Sequence, residues 1–289
     1  MLLREPSPYE VDSTSPMTVS SDSKPNGTIL NEGQDQPNGS IPFPQLRIHP
    51  DFMPRGAKSL AQISEHGFGL GIVLSLNAVL AGQLLWTQHY LWRLPFFIAI
   101  LSAFHFLEFD MTARYNPTDA KVSSYLLFTN GRAYNIAHAT AMLELTTRYL
   151  LTSKGYLTFG FIPSAFSTGT VYVGLSLICL GQLFRSLAMK QAGTSFNHVV
   201  QSTKKDDHVL VTGGVYAISR HPSYFGFFWW GIGTQILLKN SFCFLAYSAI
   251  LWKFFSHRIR VEENHLVAFF DERYIAYRKR TRTLIPFIR

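Results

Sequence analysis

The sequence predicts an all-α integral membrane protein with about six transmembrane helices, the last two forming a helical hairpin. Three observations support this fold class. Of the 289 residues, 47% are hydrophobic and only 15% are charged, which is low for a soluble protein. Apolar stretches of membrane length recur along the chain. The alternating pattern that a membrane-spanning barrel requires is absent, so strands are not expected.

The amino-terminal residues 1–58 form a polar segment rich in Ser, Pro, Asn, Asp and Gln. Such a segment has too little apolar surface to offset its conformational entropy, so a disordered tail is predicted. It lacks the apolar core of a secretory signal peptide. Its two glycosylation sequons, at Asn26 and Asn38, matter only if the tail faces a lumen. The membrane-embedded domain is therefore predicted to be 59–289.

Six apolar segments follow the tail and are the predicted spans. Lys239–Ser241 alone separates the last two, which leaves room only for a tight turn between helices. The spans are His66–Trp86, Leu94–Phe109, Ala133–Leu151, Gly169–Met189, Tyr224–Leu238 and Phe242–Phe255.

The distribution of Lys and Arg predicts the orientation. An even number of spans places both termini on one side, and most basic residues lie on that side. The positive-inside rule makes that side the cytosol. The net charge of +8 follows from this asymmetry, and nucleic-acid binding is not predicted because the basic residues flank spans instead of forming a patch. The opposite loops hold little beyond Arg93, Lys154 and Lys239.

Several polar or reactive side chains fall inside or near the predicted spans. Glu144 and Arg148 are four residues apart and can pair on one helix face. His105, Glu108 and Asp110, near the end of the second span, have either a functional or a structural role, which the sequence leaves open. The two cysteines, Cys179 and Cys243, lie in apolar runs and are predicted to be buried structural thiols.

Residues 192–222 form the longest polar segment of the predicted folded domain. His198, His208 and His221 lie in it, but no pair has metal-ligand spacing and no cysteine is near, so no metal site is predicted. The pair Gly213-Gly214 is a turn signal, and the segment has no dinucleotide-binding glycine motif.

The last helix is predicted to continue into the cytosol to about Lys279, since no Gly or Pro occurs between Thr234 and Ile285. One apolar face recurs along it, and Glu262 interrupts that face one turn after Arg258. Either Glu262 lines a pocket or it forms a local ion pair with Arg258. The apolar face consists of Phe255, Ile259, Leu266, Phe270 and Tyr274.

The run FNHVVQ…HVLVTGGVYAISRHPSYFGFFWWGIGTQ, followed by RIRVEENHL, resembles the isoprenylcysteine carboxyl methyltransferase family over about residues 192–288. The resemblance implies a multi-pass enzyme of the endoplasmic-reticulum membrane. It implies methyl transfer from S-adenosyl-L-methionine to the carboxyl-terminal carboxylate of a prenylated cysteine. The implied partners are CaaX-processed proteins, such as small GTPases, and membrane lipid.

The resemblance also implies roles for particular residues in a catalytic and cofactor-binding region at 192–288. Arg258 corresponds to the arginine that contacts the substrate, and Glu262 to a cofactor contact, so both are candidate catalytic residues. The candidate cofactor-binding residues are Gln201, His208, Val209, Leu210, Val211, Tyr216, His221, Pro222, Ser223, Tyr224 and Glu262.

The proposed chemistry is simple because an α-carboxylate, with a pKa of about 3.5, is already a nucleophile at neutral pH. Arg258 suits the binding of both carboxylate oxygens by its planar fork. The aromatic run Phe225, Phe227 and Phe228 is expected to meet lipid, and the glycines nearby permit either close helix packing or a slot for a prenyl chain.

Three other function classes stay open at this stage. A sterol reductase is one of them, and it would need a nicotinamide cofactor with contacts for its extra phosphate. A phospholipid N-methyltransferase would share the cofactor but would not need Arg258, since a cationic amine is repelled by it. A transporter or membrane scaffold would place its polar residues near mid-membrane, whereas the densest polar segment here is predicted to be cytosolic.

Overall fold

The computed structural model describes residues 49–156, 164–204 and 208–289 of this protein. These residues are predominantly helical, with one isolated parallel bridge between Ser219 and Arg282. Most of the predicted tail lies outside the described residues. The helices are α1 (Leu60–Trp86), α2 (Arg93–Tyr115), α3 (Arg132–Ser153), α4 (Ser164–Ala192), the short α5 (Val215–Ile218), α6 (Pro222–Leu238) and α7 (Phe242–Arg280).

The described chain is already folded before α1. Lys58 donates its backbone N–H to Asp51 O at 2.8 Å, and Val122 donates to Ala57 O at 2.9 Å. Order therefore begins ahead of Lys58, because Lys58 pairs with Asp51 in its own segment and Ala57 pairs with Val122 after α2.

Three helical stretches of the described residues are long and apolar enough to cross a membrane: Leu60–Trp86, Tyr90–Tyr115 and Gly169–Ser195. The other three predicted spans are also helical, but α6 has only 17 residues and α3 carries Glu144 and Arg148. The all-α membrane class is supported, while the count of six spans stays a prediction.

The turn between α6 and α7 is built from polar side chains of α3. Glu144 accepts hydrogen bonds from the backbone N–H groups of Ser241, Phe242 and Cys243 at 2.7–3.1 Å. A carboxylate at a helix amino terminus stabilises the helix, because it pairs the unsatisfied N–H groups of the first turn. Arg148 lies 2.9 Å from Glu144, so the predicted pair is present.

Glycines set the contact between α4 and α6. A Cβ atom on Gly226 would lie 2.4 Å from Gly181 O, and one on Gly233 would lie 2.9 Å from Gly174 O. The two backbones therefore touch, and no slot for a prenyl chain separates them there. This contact buries much of α6. Phe228 lies inside the protein, contrary to the expectation for that residue, whereas Phe225 and Phe227 are half-buried.

The last helix, α7, reaches Arg280 as predicted but bends at Asp271, whose φ of 47° and ψ of −130° are not helical. Asp adopts positive φ more readily than most residues. Lys204 Nζ donates to the carbonyl of Phe269 at 3.0 Å, next to the bend. Beyond the bend, Tyr277 donates its hydroxyl to Tyr216 O at 2.6 Å, which ties α7 to α5.

The carboxyl-terminal residues 281–289 fold back on the start of α6. Arg220 N donates to Arg282 O at 3.0 Å, and Ser219 Oγ donates to Thr283 O at 2.9 Å. Trp252 Nε1 on α7 donates to Pro286 O at 2.9 Å. The segment thus joins the first turn of α6 to α7.

Candidate active site

A cavity of about 110 Å³ lies between the chain that follows α4 and the middle of α7. Its wall combines residues from 195–201 and 208–211 with aromatic residues of α7. Phe270, assigned from the sequence to an apolar stripe only, is part of this wall. The α7 side of the cavity consists of Glu262, His265, Leu266, Phe269, Phe270, Tyr274 and Tyr277.

Most of the predicted cofactor residues line this cavity. Those that do are Gln201, His208, Val209, Leu210, Val211, Tyr216, Tyr224 and Glu262. The remaining three, His221, Pro222 and Ser223, are buried at the start of α6 and are not part of the cavity wall. They lie there because Pro222 occupies the first turn of α6, where its missing N–H costs nothing.

Arg258 and Glu262 are joined through the hydroxyl of Tyr224. Arg258 Nε donates to the Tyr224 oxygen at 2.7 Å, and Tyr224 donates its proton to Glu262 Oε2. The guanidinium carbon of Arg258 also lies 5.2 Å from the centre of the Tyr224 ring. The structure therefore combines the two alternatives left open by the sequence: Glu262 lines the cavity, and a tyrosine couples it to Arg258.

A second carboxylate, Glu263, holds the residues that precede α6. Its Oε1 accepts from Arg220 Nε at 2.5 Å and from His221 Nε2 at 3.2 Å. Arg278 Nη1 lies 3.7 Å from Oε2. Burial alone would raise the pKa of Glu263, but the hydrogen bonds and charges of His221 and Arg220 together lower it. Glu263 is therefore an ionised anchor, and His221 is bound to it.

Two buried polar atoms of the cavity wall have no hydrogen-bond partner among the described residues: His208 Nδ1 and the hydroxyl of Tyr274. Burial, followed by the charge of Glu263, raises the pKa of Tyr274 above its ordinary value, so the hydroxyl keeps its proton. Unpaired polar groups are costly in a folded interior, which makes these atoms candidates for ligand contacts.

Comparison with known proteins identifies the family. The isoprenylcysteine carboxyl methyltransferase family model matches residues 173–268. The protein-S-isoprenylcysteine O-methyltransferase of Saccharomyces cerevisiae is 41% identical over 256 residues, which cover 88% of this chain and 99% of the yeast protein. This chain belongs to the isoprenylcysteine carboxyl methyltransferase family.

Other relatives agree with this family assignment. The human protein of the same name is 39% identical over 223 residues, covering 77% of this chain and 71% of the human one. Among solved structures, a eukaryotic intramembrane Ras methyltransferase of this family superposes with a TM-score of 0.69 at 35% identity. That match covers 78% of this chain and 77% of the solved one.

This family member also has a buried ion pair that the sequence did not predict. Arg185 on α4 forms a two-point contact with Glu108 on α2, and its Nη1 donates to Ser223 Oγ at 3.0 Å. His198 Nε2 donates to Glu108 Oε2 at 3.0 Å. We call these four residues the Glu108 cluster. Glu108 stood out as a charge in an apolar segment, but its partners are 77 and 90 residues away.

The two cysteines have different outcomes. Cys243 is buried, but Cys179 is exposed on α4, contrary to prediction. Among the described residues, no three His, Cys, Asp or Glu side chains form a group suited to a metal ion.

Proposed function

We propose that this chain transfers the methyl group of S-adenosyl-L-methionine to the carboxyl-terminal carboxylate of a prenylated cysteine. A carboxylate oxygen forms a bond to the methyl carbon, the carbon–sulfur bond breaks, and its electron pair stays on sulfur. The products are a methyl ester and S-adenosylhomocysteine. The observation that carries the proposal is the coupled set Arg258, Tyr224 and Glu262 at the edge of the cavity, in a chain of this family.

Arg258 binds the acceptor carboxylate. Its guanidinium binds both oxygens of the incoming carboxylate in a fixed geometry, as no lysine can. No general base is needed, because the carboxylate is ionised at neutral pH. Alignment of carboxylate and methyl group is then the main requirement, and Tyr224 holds the Arg258 side chain on one side.

The cavity binds the cofactor. When bound, S-adenosyl-L-methionine supplies an activated methyl group on a positively charged sulfur. Glu262 and the rings of Tyr216 and Phe269 offer a negative charge and aromatic faces to cations. His208 Nδ1 and the hydroxyl of Tyr274 are the unpaired atoms available to polar groups of the ligand.

The cavity must widen to accept a molecule of that size, since small-molecule sites have volumes of about 300–1,000 Å³. Two contacts hold Lys204 and Val209 against the rest of the site: Lys204 Nζ donates to Phe269 O at 3.0 Å, and Val209 N donates to Ser195 Oγ at 3.2 Å. Both are exposed. We expect these two contacts to break when the cofactor binds.

We further propose an endoplasmic-reticulum location with both termini in the cytosol, which suits a water-soluble cofactor and cytosolic prenylated proteins. The basic residues that flank the predicted spans support this orientation. Glycosidase treatment of the cell-expressed protein should then leave its mass unchanged despite the sequons at Asn26 and Asn38. A mass shift would reverse the orientation.

The function is tested by methyl transfer with purified protein in lipid nanodiscs. Labelled methyl from S-adenosyl-L-methionine should appear on N-acetyl-S-farnesylcysteine but not on its methyl ester. Arg258→Lys should lower kcat/KM by roughly 10- to 1,000-fold with little change in cofactor affinity. Glu262→Gln should weaken cofactor binding instead. A protein that methylates phosphatidylethanolamine and leaves the farnesylcysteine unmodified would refute the proposal.

A further inference from the structure

The guanidinium of Arg258 is held by a backbone carbonyl as well as by Tyr224. Its Nη2 donates to His198 O at 2.5 Å. His198 belongs to the chain after α4, where the next residue, Val199, is 60% exposed. A carbonyl in a connecting segment outside any helix is a poor support unless something else fixes it.

The ring of His198 provides that fixation. Its Nε2 donates to Glu108 Oε2 at 3.0 Å, and its edge packs against the Phe196 ring with 5.3 Å between ring centres. Glu108 itself is 1% exposed and is bound at both oxygens by Arg185. The buried carboxylate therefore gives this connecting segment a rigid attachment point.

We propose that His198 and Glu108 are positioning residues for Arg258, and through it for the acceptor carboxylate. This inference rests on the proposed function, since it assigns a support to the arginine that binds the acceptor. The path runs from Glu108 in α2 through the His198 ring and its own carbonyl to Arg258 in α7. Neither positioning side chain is part of the cavity wall, although Asn197 and Val199 on either side of His198 are, so we expect their loss to affect the acceptor far more than the cofactor.

Loss of the attachment point affects the acceptor selectively. His198→Ala keeps the carbonyl but removes the ring that anchors it, so the Arg258 fork loses one of its supports. A misplacement of about 1 Å in a reacting group lowers the rate by about 100-fold. We expect kcat/KM for N-acetyl-S-farnesylcysteine to fall by about 10- to 100-fold, with an unchanged dissociation constant for S-adenosylhomocysteine.

Conservative variants distinguish loss of the His198–Glu108 hydrogen bond from misfolding. His198→Gln places an amide N–H where Nε2 lies, so it should restore most of the activity, whereas the shorter His198→Asn should not. His66→Ala is the matched control, because that histidine also makes a side-chain hydrogen bond and a ring contact, but on α1 away from the cavity. It should keep parental activity. Folding of each variant is checked by protection of the buried Cys243 thiol from labelling in a Cys179→Ser background.

A double-mutant cycle gives the decisive measurement. If His198 acts through Arg258, His198→Ala should cost little further activity once Arg258→Lys is present. Independent effects that multiply, or equal activity in the Gln and Asn variants, would overturn the inference while a parent active on farnesylcysteine keeps the proposed function. A parent inactive on farnesylcysteine would refute both.

Discussion

Two carboxylates that are each bound by an arginine and a histidine lie on either side of the start of α6, and they differ in how they are built. Glu108 binds partners on α4 and in the following chain, and it is 1% exposed. Glu263 binds Arg220 and His221, which are adjacent in sequence, and it is 8% exposed. We call Arg220, His221, Glu263 and Arg278 the Glu263 cluster.

The difference shows what each cluster does for the site. The Glu108 cluster joins α2, α4 and the start of α6 through Arg185 and Ser223, so its loss affects the arrangement of the helices. The Glu263 cluster joins α7 to the carboxyl-terminal segment, since Arg220 Nη1 also donates to Thr281 O at 2.7 Å. Removing one partner from an ion pair costs more stability when the pair is more completely buried, so the larger loss is expected at Glu108.

The largest effect is expected for Glu108→Gln. It leaves the Arg185 guanidinium buried without a counter-charge, which costs about 3–5 kcal/mol of stability. Thermal unfolding in detergent, followed by labelling of Cys243, measures this loss. Asp110→Asn is the matched control on the same helix, because Asp110 pairs with Arg114 at an exposed position. If both variants unfold at the same temperature, the Glu108 cluster is not a stabilising contact.

The next largest effect is expected for Gly226→Ala, which tests the Glu108 cluster because Gly226 packs against the backbone of Arg185. The added Cβ would lie 2.4 Å from Gly181 O and 2.8 Å from Arg185 N, and neither backbone atom can move without parting α4 from α6. We expect a loss of about 2–3 kcal/mol, as for other overpacked contacts. Gly71→Ala on α1 is the control, since nothing lies within 4 Å of its added Cβ. Equal stability of the two variants would contradict the close α4–α6 contact.

Glu263→Gln should have a smaller, pH-dependent effect of about 2 kcal/mol, the range for hydrogen bonds to a charged group. The pKa of Glu263 is lowered in the folded protein, so its contribution is present above the unfolded value of 4.5 and is lost as pH falls below it. As pH falls from 4.5 through the lowered folded pKa, the parent should therefore lose stability that the Gln variant does not lose. Parallel unfolding temperatures of the two proteins across that range would argue against an ionised anchor.

The smallest effect is expected for Arg278→Ala. Its side chain is 44% exposed and lies 3.7 Å from Glu263, so the change should alter stability by less than about 0.5 kcal/mol. The same unfolding assay measures it, ideally at two salt concentrations. A loss as large as that of Glu263→Gln would mean that Arg278, and not Arg220, is the main partner of the carboxylate.

The sequence by itself determined the helical membrane class, the tight connection at Lys239–Ser241 and the family. Apolar length, the positions of Gly and Pro, and contiguous motifs are local properties, so they can be read without coordinates. The sequence predicted only part of the relation between Arg258 and Glu262. Their spacing puts both on one face of α7, but Tyr224, which joins them, comes from another helix.

Only the tertiary structure decided which polar residues meet across long separations. Glu108, Arg185 and His198 were each visible in the sequence, but no local pattern relates residues that are 77 or 90 positions apart. The bend at Asp271 and the close α4–α6 contact are likewise features that only the tertiary structure decides. They are set by how whole helices pack, and packing depends on the complementary shape of surfaces that the linear order of residues does not display.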